Sequence, residues 1–459
     1  MHIKNYIRSI FSGDSKYNNG GIDLNELSAV KQDGMMLTVG LDFGTHQTKV
    51  CIESKGGVEL TYTFVKFMAD PEHSFYTLPS IIGVGKDKRL NYGYLAANFD
   101  GTIIRYFKQG AFRTTSPDKS MTQELAMYYS VWYVAYILFD LETVFGQNFT
   151  IQMGAPTDSS HVYTAKQIAT RIIASAYKLV EDVFEGDKQR FLNATYDTLI
   201  DLTELVQYSK ELKEDYGLLV FPEAYACLKP LISQKKIATG MSLMVDIGGG
   251  TTDISFFTIE NDVPQVYDFF SLNKGLNYLT CADERMNHST DSNVKNQSEI
   301  DNARRASYTN DIKTVCHNIR YKLLREFKSQ TKLQQDRLFD ALKNRPLVYC
   351  GGGSTFPILR VTYDEYKDMK QISEKEWNTK SISQISEIMN KGLCPILSTA
   401  YGLAISTEHD NIQMKPFRDI FENIRGAEEQ KKSQSSNRWS TLGEAYGGFS
   451  YADDWDAWK

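Results

Sequence analysis

The sequence predicts an α/β fold made of two halves built to one plan. Three observations carry this expectation. An apolar strand, an Asp-led glycine turn and a second strand stand at Met36–Glu53, MLTVGLDFGTHQTKVCIE. The same unit returns about 200 residues later at Ser242–Ile259, SLMVDIGGGTTDISFFTI. Helical patterns alternate with strands in both halves, which implies a duplicated architecture. At 459 residues the chain is long enough for two cores.

The first ~35 residues are polar and punctuated by Gly and Asn, which predicts a short helix and a loose arm. The unit at Met36–Glu53 reads as a hairpin. Residues ~55–118 mix short strands with turns and contain RYFKQGAFR. A helix is expected over Met121–Phe145. Its uncharged stretch Leu125–Phe139 falls short of the ~20 residues that cross a bilayer and is rich in tyrosine, so it reads as a buried helix.

Strand FTIQMGAP follows, then a helix over Ser159–Phe184 capped by Thr157 or Asp158. Asp187–Tyr216 is charged and reads as a solvent-facing helical hairpin. Strand LLVFPEA precedes helix AYACLKPLI. In the second half, Cys281–Arg305 is dense in Asn and Ser and reads as a mobile or variable segment. Asp311–Phe327 reads as a basic helix, and LVYCGGGSTFPIL as strand, glycine loop and helix start. Helices Pro395–Ser406 and Pro416–Ile424 come last, before a polar tail.

Composition bounds the function. A formal charge of −6 and no long basic run leave no electrostatic footprint for nucleic acid or an anionic membrane. The N-terminus has no sustained apolar core and is not expected to be a secretion signal. The six cysteines are scattered without CxxC spacing, as expected for reduced thiols in a cytoplasmic protein.

Phosphates need backbone N–H donors near their oxygens, which favours glycine-rich turns, and magnesium needs carboxylates, direct or through water. Both turns supply these together: Asp42-Phe-Gly44-Thr45, and Asp246-Ile-Gly248-Gly249-Gly250-Thr251-Thr252-Asp253. One such turn is weak evidence; two in matching strand contexts could close on a phosphate chain from both sides. A third loop, Gly351-Gly352-Gly353-Ser354-Thr355, would let backbone lie flat against a nucleoside.

This order of motifs resembles the nucleotide-binding domain of the heat-shock protein 70 (DnaK) family, and more broadly the actin, sugar kinase and chaperone ATPase superfamily. GLDFGT and VDIGGGTTDIS resemble the two phosphate motifs, and CGGGST the adenosine motif. PEAYA and TAYGLAIS resemble the connecting motifs, and PSIIGVG with NYGYLA the small upper subdomain of the first lobe. The resemblance spans Met36 to Ser406. It implies a two-lobed, actin-like ATPase fold of duplicated ribonuclease H-like domains with small upper subdomains. Lobe I would cover 36–236 with an insertion over about 55–118. Lobe II would cover 237–425 with a reduced upper subdomain over about 276–330, flanked by an extension at 1–35 and a tail at 426–459.

It also implies roles. Asp42 and Asp246 would hold Mg²⁺ of a bound ATP or ADP. Gly44, Thr45, Gly248, Gly249, Gly250, Thr251 and Gly275 would surround the phosphates, with Asp253 supporting the second loop. Lys108 would neutralise the γ-phosphate and orient water, with Glu223 polarising that water. Gly352, Gly353 and Ser354 would meet the nucleoside. The family flanks adenine with arginines; here Phe356, Arg320 and Tyr321 stand near those places, and adenine could stack on Phe356 and Tyr321.

Nothing after Ser406 resembles the chaperones' linker or peptide-binding domain. The expectation is an Mg-ATP-hydrolysing switch acting on a partner protein, with Pro156–Phe184 and Pro395–Ser406 as hinge helices. A filament-forming, self-assembling bacterial actin-like ATPase is the alternative, and ATP-dependent pelleting separates the two. A sugar kinase would need an acceptor-site base that the sequence does not identify, and a nucleotide sensor without turnover is the fourth class. The tail places Trp439, Trp455 and Trp458 among Tyr446, Phe449, Tyr451 and the acids Asp453, Asp454 and Asp456, which suits partner docking or packing on the protein's own body.

Overall fold

The structure, a computed structural model, describes residues 21–30, 34–97, 101–112, 121–156, 162–206, 216–232, 242–260, 263–281, 297–326, scattered positions over 328–340, and most of 347–417. The 426–459 tail, the Thr157 and Asp158 caps and nearly all of Pro416–Ile424 lie outside these residues, as do 1–20 and 282–296.

After the short helix α1 (Leu24–Ser28), β1 (Met36–Asp42) and β2 (Gln47–Gly56) form the expected hairpin, with Asp42 opposite Lys49 and the first glycine turn between them. Strand β3 (Glu59–Phe64) continues the meander. Short strands β4 (Phe67–Met68) and β5 (Ser74–Phe75) pair, and β6 (Leu78–Pro79) joins the start of β2. Strands β7 (Ile82–Val84), β8 (Leu90–Tyr92) and β9 (Thr102–Ile104) make a three-stranded sheet. Helices α2 (Tyr94–Ala97) and α3 (Phe107–Phe112) follow their strands.

Helix α4 (Gln123–Phe145) is buried without a break from Tyr129 to Leu141. Thr122 accepts from Leu125 N at its start, and Gly146 at φ 60° ends it. Strand β10 (Phe149–Ala155) leads into α5 (Val162–Lys178) and a π-turn over Leu179–Val183. The hairpin expected to face solvent does not. Its helices α6 (Lys188–Asn193) and α7 (Tyr196–Leu205) bury Phe191, Leu192, Leu199 and Leu202, and Trp132 Nε1 of α4 donates to Thr203 Oγ1 at 2.7 Å. Lys188 of α6 is itself buried and donates to Asp140 Oδ1 of α4 at 2.7 Å, so even a charge of this hairpin faces α4. Strand β11 (Leu218–Pro222) and helix α8 (Glu223–Ile232) close the first half.

The second half opens on β12 (Ser242–Ile247), β13 (Thr252–Glu260) and β14 (Val263–Leu272), then α9 (Leu276–Leu279) and α10 (Asn302–Glu326). Strand β15 (Leu347–Cys350) carries the third glycine loop. No α-helix starts after it. Two 3₁₀ turns, Gly352–Thr355 and Pro357–Leu359, follow because Pro357 withholds a backbone donor. Strand β16 (Met369–Gln371), α11 (Ile385–Asn390) and α12 (Cys394–Ala404) complete the described chain.

The fold is mixed α/β. The two large sheets run β11-β10-β1-β2-β3 and β14-β13-β12-β15-β16. Each is a three-strand antiparallel meander with two later strands added parallel beside its first strand. Helices α4 and α5 cover one face of the first sheet. Helices α8 and α12 lie between the sheets, where one apolar cluster joins Phe64, Leu228, Leu397, Tyr401, Phe257 and Val348. Helix α10 covers the far face of the second sheet. Among the described residues no helix is long and apolar enough to cross a membrane.

The central helices cross closely at Gly402, where a Cβ would stand 1.7 Å from Ala226 O and 3.1 Å from Pro230 Cδ. Backbone cannot yield as a flexible side chain can. Gly402→Ala is expected to cost ~3 kcal/mol or more of folding free energy, read as a lowered urea midpoint; an unchanged midpoint would contradict this packing.

Candidate functional site

The three glycine loops and the start of α8 meet in one cleft of about 200 Å³, or about 1070 Å³ counted out to its open mouth. Each wall is held from behind. Ser80 Oγ donates to Gly44 O at 2.7 Å, and Ser80 N to His46 O at 2.8 Å, which fixes the first turn. Phe43 stacks on Phe107 and Tyr133 with ring centroids 6.0 and 5.8 Å away, so the first turn and α3 share one aromatic base. That base holds Lys108, the second residue of α3, facing Glu223.

The second turn is closed by Gly248 N donating to Thr251 O at 2.9 Å, and Thr251 Oγ1 donates to Asp253 Oδ2 at 3.0 Å. Leu276 N and Asn277 N donate to Gly248 O and Gly249 O at 3.0 and 2.9 Å, which places Gly275 directly behind the turn. The first and second turns also touch. Gln109 Nε2 donates to Gly250 O at 3.3 Å, and a Cβ on Gly249 would meet the His46 ring at 2.3 Å.

Among the lining residues, four carboxylates (Asp42, Glu223, Asp246 and Asp253) face two ammonium groups (Lys49 and Lys108). Lys49 Nζ donates to Asp42 Oδ2 at 2.9 Å, and Lys108 Nζ to Glu223 Oε1 at 2.5 Å. Burial, then the charges of Asp253 and Asp42, push Asp246 up to about 7 against the pull of Lys49. Burial also raises Glu223, the Lys108 ammonium lowers it, and the balance stays upward. Burial pulls Lys49 down, but the Asp42, Asp246 and Glu223 carboxylates outweigh it. Burial, then Arg105 and Lys49, lower His46 to about 4, so its ring is neutral at neutral pH. His46 Nε2 has no hydrogen-bond partner among the described residues.

Of the expected site residues, Asp42, Gly44, Thr45, Lys108, Glu223, Asp246, Gly248, Gly249, Gly250, Thr251, Asp253, Gly352 and Phe356 line this cleft. Gly353 and Ser354 lie inside the third loop instead, with Ser354 Oγ donating to Gly351 O at 2.8 Å. Arg320 and Tyr321 are not brought to the cleft. Helix α10 turns Ile319 and Leu323 inward, and Tyr321 is 68% exposed. Phe356 stands instead with Leu276 and Ile396 as the cleft's apolar residues.

Sequence reasoning missed Lys49, His46 and Gln109. Lys49 could have been found from hairpin register, since closing the first turn sets it opposite Asp42. His46 and Gln109 belong to contacts between distant segments and leave no local signal.

The site tests a magnesium–nucleotide reading in two ways. Excess buried carboxylate, with Asp246 pushed up to about 7, is relieved by a divalent cation. The third loop meets the acidic side of the cleft at Gly351, whose φ of 78° and ψ of 169° are open essentially to glycine alone. A Cβ there would stand 2.2 Å from Asp246 Oδ1. Both features fit the group. Gly351→Ala is expected to cost ~1–3 kcal/mol of folding free energy, read as a lowered urea midpoint; an unchanged midpoint would contradict this close approach. No protein-family model matches the chain, and no curated protein matches it.

Proposed function

We propose that the chain binds a magnesium nucleoside triphosphate, ATP, in this cleft, hydrolyses its terminal anhydride and uses the change to alter its hold on a partner protein. One observation carries the reading: both Asp-led glycine turns, from separate sheets, face one cleft with Lys108 and Glu223 between them. The common strand order of the sheets supports an actin-like pair of ribonuclease H-like lobes, akin to the DnaK nucleotide domain.

Asp42 and Asp246 would hold the magnesium ion through its water shell, and the ion would neutralise phosphate charge. Glycine backbone of the first two turns would receive the phosphates. Phe356, Leu276 and Ile396 offer the nucleobase an apolar surface. Lys108 supplies positive charge at the γ-phosphate. Glu223, whose carboxyl the Lys108 ammonium pulls down against its burial, would orient a water and accept its hydrogen bond. Catalysis of this kind rests on positioning and electrostatics, without a covalent intermediate. Because the turns belong to different sheets, loss of the γ-phosphate removes contacts common to both.

The test is calorimetric titration and phosphate release with purified chain and Mg-ATP. One binding site and chelator-sensitive phosphate release are expected; absence of binding ends the proposal.

A further inference from the structure

Behind the acidic wall of the cleft, two thiols that the proposed nucleotide site does not use lie beside Asp246, one of the carboxylates proposed to hold magnesium. Cys227 Sγ comes from α8, Cys350 Sγ from the end of β15, and the Asp246 carboxylate from β12. These donor atoms all lie within 4.8 Å of one another. The two sulfurs are 3.3 Å apart, and Cys227 Sγ is 4.0 Å from Asp246 Oδ2 and 3.2 Å from Thr399 Oγ1.

Both cysteines are free and buried. A thiophilic cation here would bind both sulfurs as thiolates and take up the carboxylate charge.

The geometry is close to that needed. Tetrahedral zinc with Zn–S bonds of ~2.3 Å and a Zn–O bond of ~2.0 Å sets S···S at about 3.8 Å and S···O at about 3.5 Å. The observed 3.3 and 4.0 Å differ from these edges by about half an ångström each. Asp246 lines the cleft, so an ion can enter there. Two thiolates select zinc-class ions over magnesium, which prefers oxygen.

We propose that Cys227, Cys350 and Asp246 form a binding site for one thiophilic divalent cation of the zinc class in the floor of the cleft. Such an ion ties α8 to β12 and β15, joining the central helix to the second sheet.

Cobalt(II) titration of the full, reduced and chelator-stripped chain, without nucleotide, tests this independently of ATP hydrolysis. A near-ultraviolet sulfur-to-cobalt charge-transfer band should grow to one equivalent and be discharged by zinc. Cys227→Ser and Cys350→Ser should each lose it, and Cys281→Ser, half-buried and outside the cluster, should keep it. Should either serine variant fail to fold, X-ray absorption of zinc-loaded wild-type protein should find two sulfurs at ~2.3 Å. Absence of the band in folded wild-type protein overturns the proposal. So does a band that survives in both serine variants, or a Cys227–Cys350 disulfide in protein that takes up no cobalt.

Discussion

Asp246→Asn is expected to make the ligand-free protein more stable above neutral pH while sharply slowing the proposed nucleotide turnover. Asp246 is raised from 3.8 to about 7 by burial first and by Asp253 and Asp42 next, with Lys49 opposing. The unfolded chain therefore gives up this proton near pH 4, and the folded chain keeps it to about pH 7. The contribution to stability is full below pH 4, is lost as pH rises through that window, and is flat above it. A shift of about three units corresponds to about 4 kcal/mol.

Asparagine imitates the protonated carboxyl and does not titrate. The variant should match wild type near pH 4 and exceed it by up to about 4 kcal/mol at pH 8, by urea unfolding in chelator. Turnover should fall ~10²-fold or more because charge stabilisation at the phosphates is lost. A difference that ignores pH, or a variant weaker than wild type at pH 8, would show that the carboxylate is not the strained group inferred here.

Lys108→Ala carries the second large effect, and it should act on two groups at once. The lysine is buried and pairs with Glu223 Oε1 at 2.5 Å. Without it, Glu223 keeps its burial and the charges of Asp42 and Asp253, all of which raise its pKa. If the proposed reaction holds, the variant should lose the positive charge meant for the γ-phosphate and also the pull that holds the Glu223 carboxyl down. Turnover should drop ~10²–10³-fold with Mg-ATP affinity largely retained, and the acid limb of the pH–rate profile should move to higher pH. Glu223→Gln in the Lys108→Ala background should add little, because the two act as a unit. Losses that multiply would assign them independent tasks.

How far the sequence could be read follows from which interactions are local. The hairpins at Asp42 and Asp246 were legible because strand alternation, turn glycine and aspartate lie within a few residues of each other. Helix α4 was legible from its uncharged run. Arg320 and Tyr321 were misplaced because a family position was carried over without the helical phase, which Ile319 and Leu323 set by packing inward. The expected helix after the third loop failed at Pro357. The hairpin over Asp187–Tyr216 was read as solvent-facing from its charges, although Phe191 and Leu199 show an apolar side that is buried. The Cys227–Cys350 contact joins residues far apart in sequence and had no local trace.

The contact between Gly402 and Ala226 also constrains how the molecule can move. Two helices pressed backbone to backbone at a point cannot slide past one another, because any side chain shifted into the gap would collide. Rotation about that point remains permitted. Any change in the width of the cleft would therefore have to turn on this contact, as scissor blades turn on a rivet, rather than slide across it.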